Sequence, residues 1–142
     1  MKKALLAGLA LTVFGVSTAS AGVIEDRQAL MKVFSAANVK MLLITRDAYK
    51  PEDADAQFQI LLNGAAKLAA LFPEGSEMGS NTKALPTIWQ YPAGFQGALD
   101  KFVEDVKTAR GNLKDVDGFA SAFNVVAKDC DACHDTYRAK RR

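Results

Sequence analysis

The sequence has little of several features that define whole classes of protein. Its 142 residues include two cysteines, one histidine and one tryptophan, and two cysteines are too few for a disulfide scaffold. Strict alternation of apolar and polar residues, typical of half-buried strands, is absent. Charge of one sign is not in excess, with 18 basic and 16 acidic residues, so no nucleic-acid surface is expected. An apolar fraction of 49% is typical of one globular domain.

The N-terminus has the pattern of a secretory signal peptide. Lys2 and Lys3 precede an uncharged apolar run over residues 4–16, and Ala19-Ser20-Ala21 resembles a cleavage site. The run is shorter than the roughly 20 residues of a spanning helix. We therefore predict removal of residues 1–21, rather than an uncleaved anchor, and no membrane span afterwards. The mature domain, residues 22–142, would carry sixteen basic and sixteen acidic side chains into the periplasm.

The mature sequence predicts four amphipathic helices. Apolar residues recur three and four positions apart in four segments. We place these at residues 24–46, 51–72 and 86–113, with the last starting near Asp115 or Asp117. Pro92 either kinks the third segment or marks its true start. Mostly short connections favour an all-α, antiparallel four-helix bundle.

The first predicted helix has an inward seam with a charged residue in it. Its positions, three and four residues apart, are Ile24, Arg27, Met31, Phe34, Asn38, Met41 and Thr45. Because a bare buried charge is costly, Arg27 either pairs with a carboxylate or extends into solvent at the bundle end. Met41 is expected in the core. Met78 is expected to pack within the long loop over residues 73–85.

The most informative motif is Cys130-x-x-Cys133-His134, which contains both cysteines and the only histidine. This is the c-type haem attachment sequence. Residues i and i+3 of a helix share a face, so both thiols can add to the vinyl groups at one porphyrin edge. His134 then lies under the ring and binds the iron as proximal ligand. The motif predicts one covalent haem c.

Other uses of the two cysteines fit less well. A thioredoxin-like redox pair needs a βαβ context that the helical pattern lacks. A structural zinc site usually has four protein ligands, and the motif offers three. A structural disulfide would leave His134 unexplained.

Three further segments occur in order with the haem motif. They are Arg27-Gln28-x-x-Met31, Phe72-Pro73-Glu74-Gly75 and Thr82-Lys83-Ala84-Leu85-Pro86-x-Ile88-Trp89, and the motif itself extends to Tyr137-Arg138. In this combination the chain resembles the class II c-type cytochromes, the group of cytochrome c′ and cytochrome c-556. The resemblance covers residues 22–142 and implies the bundle fold known for cytochrome c′.

The resemblance also implies roles on both sides of the iron. Met31, four positions after Arg27, corresponds to the distal residue and is a possible sixth ligand, although in some relatives a methionine there leaves the iron free. Arg27 and Gln28 would lie beside the haem, with Arg27 paired to a propionate. Thr82 would lie in a loop at the haem edge. Arg138 would lie near the proximal imidazole.

Two functions remain open from the sequence. Met/His ligation raises the potential of haem iron and suits an electron carrier between periplasmic redox proteins. A five-coordinate iron would instead bind nitric oxide or carbon monoxide, as a gas sink or sensor. A peroxidase needs a distal acid–base group, and no second histidine is present, so we expect no enzymatic activity.

The oligomeric state depends on one apolar face of the first helix. Val39, Leu42 and Leu43 would either be exposed and support a homodimer or pack against the second helix. We favour the dimer.

Overall fold

The computed structural model describes residues 19–140, with side chains from residue 22 onward. Its helices are α1 (Ala19–Leu42), α2 (Pro51–Leu68), α3 (Thr87–Gln90), α4 (Pro92–Arg110) and α5 (Val116–Tyr137). Residues 19–140 contain no strand, which confirms the all-α prediction. None of the described helices combines the length and apolarity needed to cross a membrane. Residues 1–18, most of the predicted signal peptide, and residues 141–142 lie outside the described part.

The first helix ends four residues earlier than the predicted segment over residues 24–46. The Leu43 N–H is shared between two carbonyl oxygens at 3.2 Å, and the backbone is extended at Thr45. The β-branched Ile44 and Thr45 disfavour a further helical turn. Thr45 is exposed, so the last predicted seam position was wrong. Most of the earlier inward positions are buried as predicted, namely Ile24, Arg27, Phe34 and Met41.

The long helices pack in the order α1 on α2, α2 on α4 and α4 on α5. Their shared core contains apolar residues from all four helices, including Phe34, Phe58, Val106 and Val126. α1 and α2 approach closely at Gly64, where a Cβ atom would lie 2.1 Å from the Phe34 ring. Short connections join α1 to α2 and α4 to α5. The arrangement confirms the predicted antiparallel four-helix bundle.

Pro92 marks the start of a helix, which decides between the two predicted roles. The segment over residues 86–113 is divided at Tyr91, whose φ of −132° and ψ of 62° are not helical. The short α3 precedes this point and α4 follows it, with Pro92 in its first turn. Proline is tolerated there because the first N–H groups of a helix have no intrahelical acceptor.

The helix that carries the haem motif begins at Asp115. This residue accepts a 2.8 Å hydrogen bond from the Gly118 backbone N–H, as an N-cap does. Asp117, the other candidate, pairs with Arg46 instead. α5 then runs without interruption to Tyr137, so the motif lies in its last two turns.

Candidate functional site

The three residues of the attachment motif lie together near the end of α5. Cys130, Cys133 and His134 are half-buried, and Cys130 also packs against the hydrophobic core. Cys130 and Cys133 are not joined by a disulfide bond. Their spacing on a regular helix puts the two sulfurs on one side of α5. Half burial leaves that side partly open to a bound group.

Burial sets the protonation of these groups. It raises the pKa of the Cys130 and Cys133 thiols, and the neighbouring Asn38 side chain opposes the rise at Cys130. Burial also lowers the pKa of His134, with a second contribution from the positive charge of Arg138. At neutral pH the sulfurs are therefore thiols. The imidazole is neutral, the form that can bind a metal.

The donor set fits haem better than a bare metal ion. Among residues 22–140 no group of three or more His, Cys, Asp or Glu side chains is placed to hold a metal ion. A haem brings its own ring nitrogens and needs only attachment points and axial ligands from the protein. Two thiols and one neutral imidazole on the end of α5 meet those needs.

The three methionines among the described residues differ in their surroundings. Met31 on α1 is half-buried and packs against the core, and Met41 is 1% exposed, as predicted. Met78 is 83% exposed, so the prediction that it packs within the loop was wrong. The loop is anchored at Ser76 and Thr82, and most residues between these anchors face solvent. Met31 and Met41 therefore remain the methionines inside the bundle.

The inward seam of α1 faces the haem motif of α5. These two helices are not among the closely packed helix pairs, yet the Asn38 side chain on α1 lies close enough to Cys130 on α5 to lower the pKa of its thiol. Asn38 Oδ1 is buried without a hydrogen-bond partner among the described residues. Met31 lies two helical turns before Asn38 on the same seam. The seam thus carries a half-buried thioether on the side of α1 that meets α5.

Arg27 is buried, with 4% of its surface exposed, so the alternative in which it extends into solvent was wrong. Its Nη1 donates to the Leu71 carbonyl oxygen at 3.3 Å and to Ser76 Oγ at 3.1 Å. Its Nη2 donates to the Ser76 carbonyl oxygen and to Thr82 Oγ1, both at 2.7 Å. The guanidinium lies 4.8 Å from the Phe72 ring centroid. Burial lowers the pKa of Arg27. Among the described residues, both terminal nitrogens of the guanidinium have acceptors, and Nε–H is the one donor group of Arg27 without an acceptor.

The loop over residues 73–85 is held to α1 by three polar contacts. Gln28 Nε2 donates to the Ser80 carbonyl oxygen at 3.0 Å. Thr82, predicted at the haem edge, is half-buried and accepts from Arg27. Ser76 is fully buried beneath the same guanidinium. The sequence prediction missed it because a serine after Pro-Glu-Gly looks like an ordinary turn residue.

The residues after α5 fold back onto this loop. Arg138 donates its backbone N–H to the His134 carbonyl oxygen at 3.1 Å and forms an isolated antiparallel bridge with Ala84. An open depression of about 270 Å³ beside it is lined by His134, Asp135, Arg138, Ala139 and Lys140. The structure therefore brings Arg138 and His134 together. Nothing in the sequence indicated the bridge to Ala84.

Comparisons with known proteins agree over nearly all of residues 22–142. A family model described as Cytochrome C' matches residues 22–138. A cytochrome c′ of Rhodopseudomonas palustris (strain ATCC BAA-98 / CGA009) is 31% identical, over 99% of this chain and 98% of the relative. A cytochrome c-556 of Agrobacterium tumefaciens (strain B2A) is 34% identical, over 85% of this chain and 100% of the relative. The solved structure of a Rhodopseudomonas palustris cytochrome c′ has a TM-score of 0.79 at 29% identity, covering 84% of this chain and 98% of that one.

Proposed function

Because the chain belongs to the cytochrome c′ family, whose members bind haem c covalently with its iron, we propose that it is an exported electron carrier. Residues 1–21 are the signal peptide in this proposal, and residues 22–142 form the haem domain that exchanges electrons with periplasmic redox proteins. The family match starts at residue 22, which supports the boundary. Cys130 and Cys133 attach the haem, His134 is the proximal ligand and Met31 is the distal ligand.

The placement of Met31 is the observation that supports electron transfer best. Its side chain is half-buried on the seam of α1 that meets the haem helix at Asn38 and Cys130. With His134 and Met31 as its ligands, a bound haem iron would have a raised reduction potential and no free coordination position. An iron with a raised potential and no free coordination position is suited to exchanging electrons without binding a substrate.

The chain's residues have separate tasks in this site. The Cys130 and Cys133 thiols would each hold the haem through one vinyl group, with the sulfur bonded to one vinyl carbon and the thiol hydrogen on the other. His134 supplies a neutral nitrogen lone pair, which the lowered pKa of this imidazole keeps available. The haem, when bound, supplies the iron that changes between ferric and ferrous states.

The surrounding polar residues orient the haem edge in this proposal. Arg27 keeps its Nε–H for a propionate, because its terminal nitrogens are already bonded. Gln28 and Thr82 hold the loop that borders the haem. Arg138 places a positive charge near His134, which disfavours the more positive ferric state.

The absorption spectrum of the haem-loaded protein tests the axial assignment. We expect a low-spin spectrum in both oxidation states and no change when carbon monoxide is added to the reduced protein. Met31→Leu should give high-spin iron that binds carbon monoxide, because leucine has no donor atom. Met41→Leu is the matched control, since it replaces a buried methionine elsewhere on α1 and conserves volume. A high-spin wild-type spectrum would contradict ligation by Met31.

Gas binding is the second candidate function. Met31 has apolar neighbours on α1, and Leu30 and Phe34 both pack in or against the core. If Met31 only screens the iron, these apolar surroundings would suit nitric oxide or carbon monoxide as ligand, and the protein would act as a gas sink or sensor. The carbon monoxide titration above separates this function from electron transfer.

An exposed apolar face supports a homodimer. Val39, Leu42 and Leu43 are 52%, 70% and 73% exposed, so the alternative in which they pack against α2 was wrong. We expect sedimentation velocity to show a dimer at micromolar concentration and Leu43→Asp to shift it to monomer, because a buried carboxylate is costly. Val125→Asp, at an exposed apolar site on α5, should leave the dimer intact. A concentration-independent monomer would refute this arrangement.

A further inference from the structure

The Thr82 hydroxyl connects two parts of the molecule that are distant in sequence. Its oxygen accepts from Arg27 Nη2 at 2.7 Å and from the Ala84 backbone N–H at 3.2 Å. Arg27 belongs to α1, four residues before Met31. Ala84 belongs to the segment that leads into α3. A hydroxyl has two lone pairs and can accept both bonds at once.

The segment beyond Thr82 is joined to the end of α5 by backbone hydrogen bonds. The Leu85 N–H donates to the Tyr137 carbonyl oxygen at 2.9 Å, and the Ala139 N–H donates to the Lys83 carbonyl oxygen at 2.8 Å. Ala84 lies between these bonds and is bridged to Arg138. We name these paired segments, residues 83–85 and 137–139, the staple. It closes directly after the helical turn that holds His134.

We propose that Thr82 is a positioning residue that couples the buried guanidinium of Arg27 to the staple, and so holds α1 and α5 in register at the haem end of the bundle. The two helices lack close backbone packing and are otherwise connected through α2, α4 and the shared core, so this tie is a direct link between them at the haem end. Met31 lies one turn after Arg27, and His134 lies one turn before Arg138. The tie therefore acts on both axial residues of the proposed function, on which this inference rests.

Charge and burial make the tie firm on the α1 side. Arg27 is 4% exposed and its other bonds go to Leu71, before the loop, and to Ser76, near the start of the loop, so the guanidinium is held in place independently of Thr82. A hydrogen bond from a charged donor is stronger than one between neutral groups. Loss of the Thr82 oxygen would remove the bond between α1 and the residue next to the staple, while leaving the anchors of α1 at Leu71, Ser76 and Ser80 in place.

Amide hydrogen exchange of the haem-loaded protein tests the tie directly. Thr82→Val keeps the shape of the side chain and removes the acceptor, whereas Thr82→Ser keeps the acceptor. We expect the Leu85 and Ala139 amides to exchange about ten- to a hundredfold faster in T82V, in line with the loss of a charged hydrogen bond. T82S should match wild type. Unchanged exchange in T82V, or equally fast exchange in both variants, would overturn the proposal.

A second readout separates positioning from simple stabilisation. In T82V a larger fraction of iron should be high spin and the reduction potential should shift, with T82S restoring both. A lower unfolding temperature with an unchanged spectrum and potential would overturn the positioning role. If T82V does not fold, wild-type exchange still decides, because the Ala84 amide donates to Thr82 Oγ1 and must be protected together with the Leu85 and Ala139 amides. An unprotected Ala84 amide would overturn the proposal. High-spin wild-type iron would refute the Met31 assignment alone, because the exchange result does not depend on that ligand.

Discussion

Replacing both Cys130 and Cys133 with alanine is expected to abolish covalent retention of haem. The two sulfurs are the only thiols of the chain, and no other side chain can form thioethers with the vinyl groups. The intact mass of the purified double variant should equal that of the polypeptide alone, and haem staining should disappear on a denaturing gel. Each single variant should keep haem through its remaining thioether, in reduced yield.

His134→Ala separates attachment from ligation. Both thiols remain in this variant, so we expect the intact mass to include haem. The spectrum should nevertheless change strongly, because the proximal imidazole is missing. A double cysteine variant that still carried haem through denaturation would contradict the assignment of the two sulfurs. An unchanged spectrum in H134A would contradict the assignment of the His134 imidazole as the proximal ligand.

Replacing Arg27 with leucine is expected to lower the free energy of unfolding by about 3 kcal/mol. The substitution leaves the buried Ser76 hydroxyl and carbonyl without their donor and frees the half-buried Leu71 carbonyl and Thr82 hydroxyl. It also removes the cation that lies over Phe72. Urea unfolding of the haem-loaded protein, followed by circular dichroism, measures the change.

Arg46→Leu is the matched control for this prediction. Arg46 makes an exposed ion pair with Asp117, and water screens such pairs, so its loss should leave the unfolding midpoint close to wild type. Arg27→Lys should fall between wild type and Arg27→Leu, because an ammonium keeps the charge but cannot make the same four bonds. Equal midpoints for Arg27→Leu and Arg46→Leu would show that the buried network contributes nothing measurable.

Features that depend on neighbours along the chain were predictable from the sequence. The positions of the long helices follow from apolar periodicity, and the fold prediction was confirmed. The end of α1 was misplaced because a helix terminus depends on one or two hydrogen bonds and on β-branched residues whose preferences are weak. The choice between the two roles of Pro92 depended on a single non-helical residue, Tyr91.

The sequence alone determined the chemistry of the attachment motif, because helical spacing places Cys130, Cys133 and His134 within one turn whatever surrounds them. Only the tertiary structure decided that uncharged hydroxyl and carbonyl groups surround Arg27, because these partners lie 44 to 55 residues away in the sequence. It likewise decided that Ala84 pairs with Arg138 and that Met78 faces solvent. Local periodicity is a property of the backbone, whereas partners between distant segments are set by how the helices pack.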